Sequence, residues 1–346
     1  MKLTADLKPL LAKLATGCSL DEKEAYIAFD IVMSGSATPS QIGALCMGMR
    51  IRGETVEEIA GAAKSMRHKA LSIESPEGAV DTAGTGGDGM RTYNVSTASA
   101  ILAAACGVPV AKHGNKAISS KAGSADVLSS LGVNIYAPME LVRESLWQHN
   151  IGFFMAPRHH GAMKHVAPTR TELGTRTIFN LLGPLSNPAN TKRQLVGVFD
   201  RKWCRPLAEV FGRLGAKHVW VVHGMDGMDE LTISGPSYVS CYNNGDITDF
   251  EVRPEDANLK PQDIKQIRGG DPLTNSKAIL SLLEGKKSAY RDVVVLNTAA
   301  TLIVGGKVRT LSQGAELAIG AIYSGKAQET LQKLIETSNK KLSEEA

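Results

Sequence analysis

The stretch from Asp81 to Ser124 constrains the fold more than any other part of the chain. It reads DTAGTGGDGMRTYNVSTASA, then an apolar run, then VAKHGNKAISSKAGS. Both halves have one form. A short apolar segment ends in a loop dense in Gly, Ser, Thr, Asn and Lys, and that loop opens a helical segment. Gly-rich backbone lets N–H groups approach an anion with no Cβ in the way. The helix that follows adds unpaired donors and the positive end of its dipole. Two such loops in succession imply more than one phosphate, or a phosphate and a diphosphate.

Gly84, Gly86 and Gly89 also fit the dinucleotide fingerprint G-x-G-x-x-G. That fingerprint requires an acid about 20 residues on, for the ribose hydroxyls. Here the next strand candidate, Val108 to Ala111, runs into Lys112-His113. A cation there suits a phosphate and not a ribose diol, so the phosphate half of the motif survives alone. Gly and Ser can also be mere turn punctuation. Three strings argue against that: Gly84 to Asp88, Asn94 to Thr97, and Lys112 to Asn115.

The 346 residues suffice for two domains and a large core. The net charge of +4 is mild and scattered, with no block of five or six cations, so composition gives no case for nucleic acid. No apolar run approaches 18 residues, so no membrane span is expected. The N-terminal segment carries Asp6 and has no continuous apolar run, which makes it a poor signal peptide. The five cysteines are odd in number, widely spaced and without a C-x-x-C. They read as buried reduced thiols in a cytoplasmic protein.

Residues 1 to about 70 read as entirely helical. Ser19 with Glu22 suggests a capping box, as does Thr55 with Glu58, and Thr38-Pro39 opens a helix between them. The Met-rich stripe here reads as core or subunit interface. After a link at Ser75 to Gly78 the pattern alternates. Val80, 108–110, 133–136, 151–155, 195–199 and 218–222 are strand candidates, with helices between them, which argues for a mainly parallel sheet covered by helices. Residues 238–252 read as an antiparallel hairpin turning at Asn243 to Asp246. The chain from Asn275 to about Lys340 is helical again, apart from the apolar run 293–296.

Two further blocks carry chemistry. In RHHGAMKHVAPTRTELGTRTIFNLLGPLSNP, residues 169–180 have helical spacing, with Gly183-Pro184 as the stop. The adjacent His159 and His160 cannot both face one ion from a regular helix, and no carboxylate sits at ligand spacing, so zinc is a poor reading. An Arg that grips a carboxylate bidentately is the better one. In HGMDGMDE, Asp229 and Glu230 follow a strong strand candidate. They are adjacent hard carboxylates suited to Mg2+, or they are simply a polar loop.

Together these strings resemble the anthranilate phosphoribosyltransferases, over nearly the whole chain. The resemblance implies a glycosyltransferase (a pentosyltransferase) of tryptophan biosynthesis that joins phosphoribosyl diphosphate to anthranilate and releases diphosphate. It implies phosphoribosyl diphosphate contacts at Gly84, Gly87, Asp88, Thr92, Asn94, Val95, Ser96 and Thr97. Further contacts follow at Lys112, His113, Gly114, Asn115, Lys116, Ala117, Ile118, Ser119, Ser120 and Ser124. Gly84, Asn115 and Arg170 would meet anthranilate; Ser96, Asp229 and Glu230 would hold Mg2+; Arg176 would be structural. Lys116 stands where the family often has Arg. No side-chain nucleophile is implied, because the aromatic amine attacks directly. The implied fold is α/β: a small N-terminal helical domain, residues 1–72 with a returning helical piece near 165–185, beside a large α/β domain, residues 73–346. That domain carries a mainly parallel central sheet with an antiparallel hairpin. A homodimer through the helical domain is also implied. A pyrimidine nucleoside phosphorylase should carry a different Lys/Ser/Arg loop for its base. A nucleic-acid-binding relative should have lost the Gly-rich loop and gained a basic stripe.

Overall fold

The computed structural model describes residues 6–117 and 121–341. Four helices come first: α1 Lys8–Ala15, α2 Glu22–Met33, α3 Pro39–Arg52 and α4 Val56–Lys69. At α3, Thr38 accepts from the Gln41 N–H and the Gln41 side chain answers at the Thr38 N–H. Thr55 and Glu58 close the same box at α4. At α2 the box is not Ser19 with Glu22 but Asp21 with Glu24, two residues later. An Asp is as good an N-cap as Ser, and starting there puts Glu22 and Glu24 in the first turn, against the helix dipole.

The α/β part then alternates. It comprises β1 Val80–Gly84, α5 Val95–Ala105, β2 Val110–Gly114, α6 Ser124–Ser130, α7 Met139–His149 and β3 Ile151–Met155. Three short helices follow: α8 Ala156–His159, α9 Ala167–Leu173 and α10 Phe179–Leu185. Then come β4 Arg193–Gly197, α11 Cys204–Arg213, β5 His218–Gly224, β6 Ser237–Asn243 and β7 Asp246–Val252. Helices α12 Pro272–Leu283, α13 Ala289–Val304, α14 Leu311–Tyr323 and α15 Lys326–Ser338 close the chain. One seven-stranded sheet has the order β3-β2-β1-β4-β5-β6-β7. The first five strands are parallel and the last two antiparallel. The β6–β7 turn places Asn244 and Gly245 at φ +50° and +112°, as a two-residue hairpin requires.

Strand order reverses between β1 and β4. Those two strands run in register from Val80 opposite Arg193 to Gly84 opposite Gly197. A crevice at the carboxyl ends of strands at such a point is where open α/β sheets bind ligands. Side chains alternate across the sheet as the pleat dictates. Leu195, Trp220 and Val222 enter a core with α5, α13, α14 and α15. Val196, Val198, Val219 and Val221 enter a second core with α1 to α4, α10 and α11.

Three sequence expectations fail locally. Residues 133–136 form no strand; the Asn134 side chain accepts the Tyr136 N–H at 3.1 Å, which a ladder would have needed. The run 293–296 lies inside α13, whose residues from Val293 to Leu302 are buried without a break, so no polar stripe marks it as helical. Residues 169–180 are not one helix. Gly174 at φ +56° ends α9, and Pro184 sits inside α10 instead of stopping it. Of the five cysteines, all free, Cys18 is exposed and Cys106 half-buried, so only three are buried as expected.

Candidate active site

Gly84 and Gly197, side by side at the ends of β1 and β4, leave room for one other residue. A Cβ on Gly84 would lie 2.6 Å from Asp229 Oδ2, and one on Gly197 would lie 1.4 Å from the Asp229 carbonyl oxygen. The loop after β5 therefore crosses directly over both strand ends. Gly86 donates its N–H to Asp229 Oδ2 at 2.8 Å, and the Asp229 N–H reaches Asp88 Oδ2 at 3.4 Å. Glu230 Oε1 accepts from the Ser96 N–H, in the first turn of α5, at 3.2 Å. The glycine loop, the start of α5 and the acidic pair thus form one cluster, although Asp229 is 143 residues from Gly86.

The charges in this cluster are unbalanced. Burial, and then the nearby Asp88, push the Asp229 carboxyl up to about 7. Burial and the adjoining Asp229 push Glu230 well above the usual carboxylate range, against the pull of Lys112. Lys112 is buried, donates to the Thr82 carbonyl at 2.5 Å, and is pushed down by burial against the attraction of Asp81, Glu230 and Asp229. Two hard carboxylates held together at this cost suit a divalent cation. Among the described residues no group of three or more His, Cys, Asp or Glu could hold a metal. Two carboxylates beside substrate phosphate oxygens is a donor set that Mg2+ commonly takes.

The second loop is built around α6. The Asn115 N–H donates to Ser124 Oγ at 3.2 Å, and the Ala125 N–H to the Asn115 carbonyl at 3.1 Å. Asn94 joins the two loops, its side-chain amide donating to the Ala122 carbonyl at 3.1 Å and accepting from Asn275 at 2.8 Å. Thr92 pairs with Arg268, and Val95 turns its side chain into the core and its N–H to the Tyr93 carbonyl at 2.8 Å. Thr97 is buried with an unpartnered hydroxyl. Lys116 is exposed, its ammonium 5.5 Å from the Tyr136 ring centroid. Ile118, Ser119 and Ser120 lie outside the described residues.

Arg170 stands apart on α9. It is half-buried, 5.5 Å from the centroid of Phe179, with no hydrogen-bond or carboxylate partner for its guanidinium among the described residues. Burial holds it below its ordinary value. An uncompensated, partly dehydrated guanidinium is a receptor for a planar anion. Among the described residues Arg170 makes no hydrogen bond to Gly84 or Asn115, the residues grouped with it from the sequence. Arg176 donates instead to the Gly87 carbonyl and covers the Phe199 ring at 4.2 Å. His113, buried, lies edge-on to His160 at 5.2 Å. Its backbone N–H donates to Asp81 Oδ1 at 3.2 Å, and among the described residues its Nε2 has no partner.

Several residues that shape the site were not singled out from the sequence. Gly197 makes room for Asp229. Asn297 on α13 is fully buried and grips Leu231, accepting its N–H at 3.0 Å and donating to its carbonyl at 2.8 Å. Asp226 accepts from Thr232 Oγ1 at 2.5 Å and Ser234 Oγ at 2.7 Å, fixing the other side of the acidic turn. A glycine inside the strand candidate 195–199, a mark of close backbone approach, was a visible signal for Gly197. A lone Asn in an apolar helix gave none.

Residues 8–70 match the model of the glycosyl transferase family helical bundle domain, and residues 76–328 that of its a/b domain. Fold and site thus define a two-domain glycosyl transferase. The chain is 58% identical to anthranilate phosphoribosyltransferase of Paramagnetospirillum magneticum over 334 residues, 96% of each chain. It is 55% identical to the Azospirillum brasilense enzyme of that name over 340 residues, 98% of this chain and 95% of the other. The crystal structure of the Thermus thermophilus anthranilate phosphoribosyltransferase overlays with a TM-score of 0.91 at 40% identity, covering 95% of this chain and 99% of that one. The Saccharomyces cerevisiae enzyme in complex with PRPP and Mg overlays at 0.88 and 26% identity, covering 97% and 98%. The chain belongs to the anthranilate phosphoribosyltransferase family.

Proposed function

We propose that this protein transfers the phosphoribosyl group of 5-phosphoribosyl 1-diphosphate to the amine of anthranilate, giving N-(5-phosphoribosyl)anthranilate and diphosphate. The observation that carries the reading is the single cluster of glycine loop, α5 N-terminus and acidic pair at the β1–β4 switch point. Breaking the anomeric bond builds negative charge on diphosphate and positive charge on ribose. The glycine loop, with the Gly87 and Asp88 N–H groups, and the side chains of the loop after β2 would hold the phosphate oxygens, and Lys112 would add a buried positive charge. Asp229 and Glu230, with Ser96, would hold Mg2+, which when bound neutralises charge on the departing diphosphate. Arg170 would orient anthranilate by its carboxylate, leaving the amine free to attack with no side-chain nucleophile.

On this reading residues 1–72 with the piece near 165–185 form the helical domain, and residues 73–346 the α/β domain. A homodimer would form through the helical domain, where Ile51 of α3 is 81% exposed. The free cysteines suit a cytoplasmic location, and no helix among the described residues is long and apolar enough to cross a membrane. The test is loss of anthranilate fluorescence in the presence of phosphoribosyl diphosphate and Mg2+. Steady loss that requires all three components is expected. Turnover of a pyrimidine nucleoside with inorganic phosphate, and none of anthranilate, would overturn the assignment.

A further inference from the structure

The loop that leaves β2 is closed at its base by more bonds than the start of a helix needs. Asn115 on the way in meets Ser124 and Ala125 on the way out. A Cβ on Gly123 would lie 2.5 Å from the Ala117 nitrogen and 2.6 Å from the Asn115 carbonyl oxygen, so the two arms press directly together. Asp126, in the first turn of α6, faces both. Its Oδ2 accepts the Gly123 N–H at 2.9 Å and the Ala117 N–H at 2.8 Å. The first bond is ordinary helix capping. The second reaches back nine residues to the incoming arm, and capping does not call for it. A carboxylate beside a phosphate loop also opposes anion binding through its charge. Its presence there is explained by what it holds.

We propose that Asp126 is a positioning residue that ties the incoming arm, at Ala117, to the outgoing arm, at Gly123, and so keeps those two arms in the spacing that binds phosphoribosyl diphosphate. This rests on the function proposed above. Without the carboxylate, two N–H groups lose their acceptor and both arms are freed, while the sheet, Arg170 and the acidic pair are untouched. Asn115, which the family resemblance also gives to anthranilate, keeps its own bonds to Ser124 and Ala125, so the loss falls on phosphoribosyl diphosphate.

The test compares Asp126→Ala, Asp126→Asn and, as a control in the same helix, Leu128→Ala, whose side chain is buried in the core. Losing two hydrogen bonds should raise the KM for phosphoribosyl diphosphate about tenfold to thirtyfold in Asp126→Ala, with the anthranilate KM within about twofold of wild type. Trypsin should cut the unliganded Asp126→Ala protein after Lys116 and Lys121 several-fold faster than wild type. Asp126→Asn keeps a carbonyl oxygen able to accept both N–H groups and should recover most of the KM. Leu128→Ala should lower Tm and leave both KM values alone. A wild-type KM and wild-type tryptic rate in Asp126→Ala would overturn the proposal. So would an Asp126→Asn variant as impaired as Asp126→Ala, or an equal KM rise in Leu128→Ala. If Asp126→Ala fails to fold, Asp126→Ser carries the comparison. Wild-type protein that turns over no anthranilate refutes the proposed function instead, while the tryptic comparison, which uses no substrate, still reads the tie.

Discussion

Two acidic regions lie on either side of the end of β1, and they are buried in opposite ways. Asp81, in the body of the strand, is fully buried. Asn187 donates to one of its oxygens at 2.6 Å and the His113 N–H to the other at 3.2 Å, with Lys112 nearby as the opposite charge. Burial raises its pKa, and each of these neighbours pulls it back. Asp229 and Glu230, past the strand end, have Asp88 and each other as close neighbours, and like charge adds to burial, against the pull of Lys112 on Glu230. A buried carboxylate supplied with donors holds structure together. A half-buried pair crowded by like charge suits a divalent cation. On the proposed function the same residue types serve architecture in one place and chemistry in the other, and the partners decide which.

The strongest test of that difference removes charge from the second region. Asp229→Asn with Glu230→Gln keeps size and hydrogen-bonding capacity. Loss of the metal-holding groups should cut kcat about a hundredfold to a thousandfold and raise the Mg2+ concentration for half-maximal rate. Steady-state rates across a Mg2+ titration measure both. An unchanged titration with wild-type kcat would mean that the pair only shapes its loop.

Next comes the cation that lacks a partner. Arg170→Ala should raise the anthranilate KM by roughly a hundredfold, about 2–4 kcal/mol for a charged hydrogen-bonded pair in a dry site. The KM for phosphoribosyl diphosphate should change little. Equal weakening of both substrates would detach Arg170 from anthranilate.

The architectural region should fail differently. Asn187→Leu removes the donor facing Asp81 and its bond to the Ala111 carbonyl at 2.8 Å, which joins β1 to β2. A buried carboxylate left short of a donor should lower unfolding free energy by about 1–3 kcal/mol in urea. The Mg2+ dependence of the folded fraction should stay as in wild type. A shifted Mg2+ dependence with unchanged stability would break the contrast.

Much of this was legible in the sequence because it is local. Glycine loops, caps at Thr38 and Thr55, the Asn243 to Asp246 turn and the acidic pair each announce themselves within a few residues. What escaped depends on who arrives from elsewhere. Asp21 displaced Ser19 as a cap because both can do the job and packing chose. Residues 293–296 looked unlike a helix because α13 is buried on every side. Gly174 split residues 169–180 because apolar spacing cannot report a left-handed residue. Asn297 and Gly197 matter only through residues far along the chain, Leu231 and Asp229, and no spacing rule joins them.

The smallest effect separates the two regions without substrate or metal. Asp229 has its pKa near 7 in the folded protein and near 3.9 when unfolded. The folded state therefore binds the extra proton between those values. The stability this provides is full below about pH 4, falls as pH rises, and is gone above about pH 7, where the burial penalty stands uncompensated. His160, pushed by burial to about 4, works the other way as pH falls, so a wild-type melting curve alone mixes the two. The informative quantity is the difference in Tm between Asp229→Asn and wild type in Mg2+-free buffer. At pH 8 the amide escapes the charge penalty and can donate to Asp88, so the variant should melt higher by about 2 °C or more. At pH 6 the folded wild type carries the proton but the unfolded chain does not, so the gap should narrow only by about a third, and it should close near pH 4. Mg2+ should close it at pH 8 as well, by stabilising wild type alone. A gap that does not change between pH 8 and pH 4 would show that charge at Asp229 costs the fold nothing.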